Sequence, residues 1–195
     1  MASSKSEVLP ASFFDRDTRI VARDLLDKVL VREVDGQRLW GRLVEVEAYL
    51  GPDDLAAHSR GGRRTPRTEV MFGLPGHAYV YFTYGMHWCL NFVTREAGVP
   101  QAVLVRALEP GPGVGRCSGP GLVTRALQID RALNGAPLTP PDLYVVDDGA
   151  PKRRIYVTPR IGVQGTGLWE KRLLRYCVPS PALSRPIPRK RIGPL

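Results

Sequence analysis

Residues 43–67 read LVEVEAYLGPDDLAAHSRGGRRTPR, and the rest of the chain is organised around them. The stretch opens with an alternating pattern that predicts a β-strand. One face carries Val44, Val46, Ala48 and Leu50. The other face carries Glu45, Glu47 and Tyr49. Gly51-Pro52-Asp53-Asp54 then ends the strand, and His58 follows in a loop. Loops held on rigid strands commonly carry function, although a solvated strand face would also account for either glutamate alone.

Composition indicates one globular domain. The chain has 195 residues, of which 43% are apolar, and this length allows a substantial core. Its 20 glycines and 18 prolines indicate many turns and irregular connections, more than a helical bundle tolerates. The formal net charge of +9 fits a protein that binds nucleic acid, but many basic proteins do not, so charge raises that expectation only modestly.

The cysteine pattern favours a reducing, intracellular compartment. Cys89, Cys117 and Cys177 are odd in number and form no C-x-x-C pair, which argues against a disulfide framework and a structural zinc site. Residues 1–5 lack the apolar core of a signal peptide, and no segment could span a membrane. We therefore expect a cytoplasmic, nucleoid-associated protein or a nuclear one. The patterns predict neither a metal nor a cofactor.

Local patterns predict an α+β fold. Asp15 or Asp17 can cap a helix that runs to about Lys28. The buried stripe expected for this helix is Ile20, Val21, Leu25 and Leu26. Asp35-Gly36 predicts a hairpin between two strands. Further strands are expected at 78–82, 88–94, 101–108, 144–147, 154–158 and 173–178, and a second helix from Gly119-Pro120 to about Leu133.

These elements predict a single compact α+β domain around a curved, mainly antiparallel sheet with flanking helices and a protruding hairpin. We expect the domain to span residues 12–183. Residues 1–11 are predicted to be a flexible arm, and residues 184–195 a basic, proline-rich tail.

Two groups of side chains outside the opening stretch could carry chemistry. Tyr79 and Tyr81 share a strand face, and Tyr84 lies beside Gly85 where the chain turns, so it could project and stack on a base. The ordinary interpretation is that all three tyrosines line a core with their hydroxyls at its edge, and the pattern alone favours it. Arg106 lies in an apolar strand and needs a partner, for which Glu47 is a candidate. Pairing with Glu109, or a position at a solvent-facing strand end, would be the ordinary alternatives.

Long motifs then resemble a known family. Besides residues 43–67, they are GHAYVYFTYGMHWCLN, VLVRALEP, GPGLVTRAL, and RIGV with LWEKRLLRY. In this order, from about Ser12 to Pro181, they resemble the alkyladenine (3-methyladenine) DNA glycosylases. The resemblance implies a compact mixed fold whose hairpin enters the DNA minor groove.

The resemblance also implies roles for individual residues. Glu47 matches the catalytic base, and Arg106 the arginine that helps to hold the attacking water. Tyr84 matches the residue that intercalates into DNA. The positions that match the base pocket are Tyr49, His58, Tyr81, Asn91 and Ile161. Among these, the asparagine matches the position that restricts entry of bases bearing a guanine amino group.

The function implied is that of a monofunctional DNA glycosylase, a hydrolase that acts in base excision repair. It would flip alkylated or deaminated purines out of duplex DNA and hydrolyse the N-glycosidic bond, as a monomer and without a cofactor. Its partner would be double-stranded DNA that contains a damaged purine. The alternatives are a catalytically inactive protein that binds damaged DNA, and a transferase or RNA-binding enzyme on a related fold.

Overall fold

One curled antiparallel sheet forms the centre of the protein in a computed structural model that describes residues 6–188. Its strands are β1 Glu7–Val8, β2 Val29–Val34, β3 Gln37–Tyr49, β4 Ala78–Thr83, β5 His87–Thr94, β6 Gln101–Pro110, β7 Leu143–Asp147, β8 Tyr156–Pro159 and β9 Leu173–Cys177. The helices are α1 Ala11–Phe14, α2 Thr18–Leu25 and α3 Pro120–Ala126, with 3-10 turns at Arg60–Gly62, Glu69–Phe72, Arg131–Leu133 and Gly167–Glu170. The predicted fold class is confirmed.

Strand β3 holds the sheet together. The strand order is β1-β7-β2-β3-β6-β5-β4, and β9 pairs with both β3 and β8. Residues 37–42 of β3 pair with β2, whereas residues 45–47 pair with β9 along the same edge. The opposite edge pairs with β6, with a bulge near Glu45. The middle of β3 is therefore enclosed by strands on both edges, which fixes its side chains firmly.

Both faces of β3 are buried over residues 43–48. Val44, Val46 and Ala48 pack into the main hydrophobic core, as their alternation predicts. Glu45 and Glu47 on the other face are also fully buried, so the interpretation of a solvated strand face is wrong. The segment around Ser184 and the loop around Ile161 cover this face, and neither is adjacent to β3 in sequence.

The local predictions were accurate at turns and caps and less so at helix surfaces. The β2–β3 hairpin turns at Asp35-Gly36, where both residues have positive φ, and Asp17 caps α2 by accepting a hydrogen bond from the backbone N–H of Arg19. Ile20 is 48% exposed, so its predicted burial is wrong. Helix α3 ends at Ala126, well before the predicted Leu133, because Gln128 turns the chain with a positive φ.

Parts of both predicted termini belong to the folded domain. Strand β1 pairs with β7, and Leu9 is buried and bonded to Val145, so residues 7–9 of the predicted arm are attached to the sheet. Ser184 and Arg185 bond to buried side chains, so the packed domain extends beyond residue 183. The remainder of the predicted arm, residues 1–5, and the basic end of the tail, residues 189–195, lie outside the described residues. Within residues 6–188, no helix combines the length and apolar character needed to cross a bilayer.

Candidate active site

Two glutamates and two arginines form a buried ionic cluster beneath an open cleft. Arg106 on β6 bridges the carboxylates, with its Nε 3.1 Å from Glu45 Oε1 and its Nη1 3.3 Å from Glu47 Oε2. Arg175 on β9 also donates to Glu45 Oε1, at 2.8 Å. A desolvated charge is costly without partners, and this cluster supplies them mutually. The predicted partner of Arg106 is therefore present, with a second carboxylate that the sequence interpretation did not assign.

Glu47 accepts hydrogen bonds from three sides. The backbone N–H of Ile161 lies 2.8 Å from Oε1, and the hydroxyl of Tyr49 donates to Oε2 at 3.0 Å. Burial raises the pKa of Glu47, and this effect outweighs the opposing influence of Arg106, the Ile161 N–H and the Tyr49 hydroxyl. Desolvation thus makes this carboxylate a better proton acceptor than one in water.

Glu45 differs electrostatically from Glu47, although both lie on the same face of the same strand. Burial alone would raise the pKa of Glu45, but hydrogen bonds and charge from Arg175, together with hydrogen bonds from Ser184, outweigh burial and lower it. Its oxygens are occupied by donors from Arg106, Arg175 and Ser184. Glu45 therefore remains ionised, with its acceptor positions filled by the protein.

A second buried ion pair supports the loop next to Glu47. Arg160 donates to both oxygens of Asp54, at 2.6 and 2.8 Å, and to the carbonyl of Ala48 at 3.0 Å. Its guanidinium also lies over the ring of Tyr49, 4.5 Å from the centroid. Asp54 in turn accepts backbone N–H groups of the turn that follows β3. This pair fixes Tyr49 and the neighbouring Ile161, and the sequence interpretation did not identify Asp54.

The cleft above the cluster has a volume of about 450 Å³, within the range of small-ligand sites. It is lined by every predicted pocket residue, namely Tyr49, His58, Tyr81, Asn91 and Ile161, and also by Tyr84 and Arg106. Glu47 itself lies one layer deeper, behind Tyr49, Arg106 and Ile161. The structure thus brings the predicted residues together around one cavity.

Aromatic rings form one wall of this cavity. His58 meets Tyr81 edge-on, with 4.5 Å between ring centroids, and its Nδ1 lies 2.9 Å from the hydroxyl of Tyr79. Burial, with a smaller contribution from Arg67, lowers the pKa of His58 to about 4. The imidazole is therefore neutral at pH 7 and does not repel a cationic ligand. Tyr79 was predicted only to share a strand face with Tyr81, and its bond to His58 is an additional feature.

Asn91 lies on the cavity wall with little freedom. It is 4% exposed, and its side-chain amide donates to the carbonyl of Tyr79, directly opposite on β4, at 3.1 Å. Because that bond fixes the side chain, a ligand group that overlaps it cannot be accommodated by a simple rotation.

The hairpin between β4 and β5 presents apolar side chains at the rim of the cavity. Tyr84 has φ of +52° and is 83% exposed, and the turn closes through a hydrogen bond from Met86 N–H to the Thr83 carbonyl. Phe82 and Met86 are exposed as well. The exposure required of a wedge residue is therefore present. Such a patch usually marks a surface with a partner.

Basic side chains accompany the same rim. Exposed arginines of the segment after His58 are Arg60, Arg63, Arg64 and Arg67. Arg60 lines the cavity, and the guanidinium carbon of Arg67 lies 5.2 Å from the centroid of the Tyr81 ring. Together with the net charge, this surface suits a polyanion. Within residues 6–188, no three His, Cys, Asp or Glu side chains are grouped as metal ligands.

Residues 12–181 match the model of the family described as "Methylpurine-DNA glycosylase (MPG)". The chain belongs to the methylpurine-DNA glycosylase family. This confirms the resemblance drawn from the motifs, and with it the enzyme class: a hydrolase of the DNA glycosylase type that acts in DNA repair.

Curated relatives agree with the family model. A protein of Desulfitobacterium hafniense (strain Y51) is 47% identical over 176 residues, covering 80% of this chain and 87% of that protein. One of Anaeromyxobacter dehalogenans (strain 2CP-1 / ATCC BAA-258) is 49% identical over 183 residues, covering 92% and 87%. One of Legionella pneumophila (strain Corby) is 47% identical over 172 residues, covering 87% and 93%. All three are named "Putative 3-methyladenine DNA glycosylase".

Proposed function

We propose that this methylpurine-DNA glycosylase family member flips alkylated or deaminated purines out of duplex DNA and hydrolyses their N-glycosidic bonds, without a lyase step. The observation that carries the proposal is the position of Glu47. Its carboxylate is held by Arg106 and by the Ile161 N–H directly behind an aromatic cavity that suits a small planar ligand. The cavity, the cluster and the hairpin all come from one chain, which supports action as a monomer.

The first step is extrusion of the damaged nucleotide. Flipping costs a few kcal/mol and is cheapest at a damaged or mismatched pair. Tyr84 at the hairpin tip is placed to fill the vacated stack, and a ring stacked on a base recovers roughly 1–3 kcal/mol. The exposed arginines from Arg60 to Arg67 hold the adjacent phosphates.

The second step is selection in the cavity. Tyr49 and Tyr81 offer ring faces, on which an electron-poor or cationic alkylated purine stacks favourably. Neutral His58 adds a polar contact without adding positive charge. Asn91, fixed by Tyr79, restricts the space next to the base.

The third step is hydrolysis. Glu47 takes a proton from a water molecule, whose oxygen attacks C1′ while the bonding electrons of the N-glycosidic bond leave with the purine. The ionised carboxylate also favours the positive charge that develops on the sugar. Because the contact from Arg106 Nη1, at 3.3 Å, is the longest of the three around Glu47, it is the one that a water molecule most readily replaces.

Duplexes that each carry one lesion test this proposal. Wild-type protein is incubated with ethenoadenine-, hypoxanthine- or 7-methylguanine-containing duplex, and alkali-labile abasic sites are measured, with Glu47→Gln as the matched control. We expect release of at least one base by the wild type and not by the variant. Lesion-selective binding with every base left intact would contradict the proposal and indicate the alternative, a catalytically inactive damage-binding protein.

A further inference from the structure

The segment after β9 reaches the ionic cluster from beyond the part of the chain that the family model matches. That match ends at residue 181, whereas Ser184 donates to Glu45 twice, from its hydroxyl to Oε1 at 2.6 Å and from its backbone N–H to Oε2 at 2.7 Å. The carbonyl of Arg185 accepts from Arg175 Nη2 at 2.6 Å. The Ser184 hydroxyl also accepts from Arg106 Nη2 at 3.5 Å, so two successive residues bond to three members of the cluster.

These contacts determine where Arg106 points. Glu45 Oε1 receives the Nε of Arg106 and the Nε of Arg175, so the carboxylate is fixed from two strands, and Ser184 fixes it from a third side. A guanidinium is a rigid planar fork, so holding Nε leaves its terminal nitrogens little choice of direction. With Nε on Glu45, Nη1 is directed at Glu47.

The charge balance of the ionic cluster also depends on Glu45. Glu45 and Glu47 carry two negative charges against the two positive charges of Arg106 and Arg175. Without the charge on Glu45, Arg106 could turn both ends of its fork to Glu47 and occupy the carboxylate. Burial raises the pKa of Glu47 and the neighbouring Glu45 charge adds to that effect, while Arg106, the Ile161 N–H and Tyr49 oppose it.

We infer that Ser184 and Glu45 are positioning residues that hold Arg106 in a single orientation, and that the C-terminal segment thereby completes the active site. The inference rests on the proposed role of Glu47 as the general base. Ser184 has no hydrogen bond to Glu47, so its effect passes through Glu45, to which it donates, and through Arg106, whose Nη2 donates to its hydroxyl at 3.5 Å.

The experiment uses the full chain with single substitutions. Ser184→Ala removes the hydroxyl but keeps the backbone contact, Ser184→Thr restores a hydroxyl, and Ser180→Ala is the matched control. Ser180 lies on the same segment and accepts the Ala182 N–H, without contacting the two carboxylates of β3. Single-turnover release of the base from an ethenoadenine duplex is measured against pH, per folded enzyme, together with the Kd for the duplex.

We expect Ser184→Ala to lower the single-turnover rate roughly 2- to 10-fold with an unchanged Kd, because the hydroxyl loses its hydrogen bond to Glu45 and the longer one that it accepts from Arg106. Ser184→Thr should recover the rate, and Ser180→Ala should not alter it. Glu45→Gln should lower the rate further and move the acid limb of the pH profile to lower pH, because removing a like charge lowers the pKa of Glu47. If that variant fails to fold, the Ser184 series still decides.

A wild-type rate per folded enzyme in Ser184→Ala would overturn the inference, as would a loss that Ser184→Thr shares. Failure of the proposed function looks different. In that case Glu47→Gln would release the base as well as the wild type, and the inference would fall with it. If Glu47→Gln is inactive while Ser184→Ala is unaffected, only the positioning role is lost.

Discussion

The ionic cluster, which forms the floor of the cavity, and the hairpin at the rim are both unusual for a folded protein. The floor buries charged side chains, whereas the hairpin exposes apolar ones. Glu45, Glu47, Arg106 and Arg175 are charged, and each exposes less than a tenth of its surface. At the hairpin, by contrast, Phe82, Tyr84 and Met86 are apolar and expose 44%, 83% and 69%. Buried charge and exposed apolar surface each cost free energy, so each feature needs a partner.

The two regions differ in where that partner lies. The charges in the floor pair with one another within the chain, on strands β3, β6 and β9, and Ser184 adds hydrogen bonds to Glu45. For the apolar side chains of the hairpin no such cover exists in the described chain, apart from the contact between the Phe82 and Trp88 rings. The floor is therefore complete in the free protein, whereas the hairpin surface is completed by whatever binds it. Substitutions in the floor should change chemistry, and those at the hairpin should change binding.

The largest expected effect is that of Glu47→Gln. The amide cannot accept the proton, and general-base assistance is worth about 10²–10⁴-fold, so single-turnover cleavage should fall by that factor or more. The melting temperature at neutral pH should not fall. Because the folded pKa of Glu47 is raised, its ionised form costs stability above that pKa, and Gln removes this cost. Loss of activity with a matching loss of folded protein would make Glu47 structural.

Tyr84→Ala should give the next largest effect. Removing the ring should make flipping less favourable by roughly 1–3 kcal/mol, since the vacated stack is no longer filled. The fraction of flipped nucleotide should fall accordingly. A fluorescent base in the duplex reports flipping. Tyr84→Phe should behave as the wild type, and Leu74→Ala, which removes another exposed apolar side chain that does not line the cavity, should have no effect. A lowered melting temperature with unchanged flipping would move the wedge to another residue.

Substitutions of Asn91, on the cavity wall between the floor and the hairpin, test which bases the cavity admits. Asn91→Ala or Asn91→Ser should admit alkylated or normal guanine more readily, because the amide fixed on the Tyr79 carbonyl is removed. The ratio of guanine to adenine-derived excision should rise about tenfold, the lower end of what one group in a packed pocket discriminates. The ratio is its own control for changes in folding. A constant ratio would place the selectivity elsewhere.

Much of the hairpin region follows from the sequence, because its signals are local. Tyr84-Gly85 between two alternating runs predicts a turn, and the turn puts Tyr84 at an exposed tip. Asp35-Gly36 likewise predicts the β2–β3 hairpin, and Asp17 is one of two candidates for the start of α2. Where local signals mislead, tertiary packing decides. Ile20 falls within the apolar stripe of α2 and is nevertheless half exposed.

The floor follows from the sequence only in part. An arginine in an apolar strand demands a partner, and that argument identified the pair of Arg106 with Glu47. Arg175 in LLRYC gives the same signal and could have been used in the same way. The burial of Glu45 could not be predicted, because Ser184, which covers it, lies 139 residues away in the sequence. Hydrophobic periodicity carries no information about contacts between such distant residues.

The smallest expected effect is that of Tyr49→Phe on the pH dependence of activity. Tyr49 donates to Glu47 Oε2 at 3.0 Å, a bond that favours the ionised carboxylate and so lowers the pKa of Glu47 against the larger effect of burial. Tyr49→Phe keeps the ring over which Arg160 lies and removes only the hydroxyl. The pKa of Glu47 should then rise. Because the base must be ionised, activity should be lost at a higher pH on acidification than in the wild type. Single-turnover rates against pH measure this shift, and its direction is opposite to that expected for Glu45→Gln. An acid limb that stays in place or moves down in Tyr49→Phe would mean that a group other than Glu47 controls the titration.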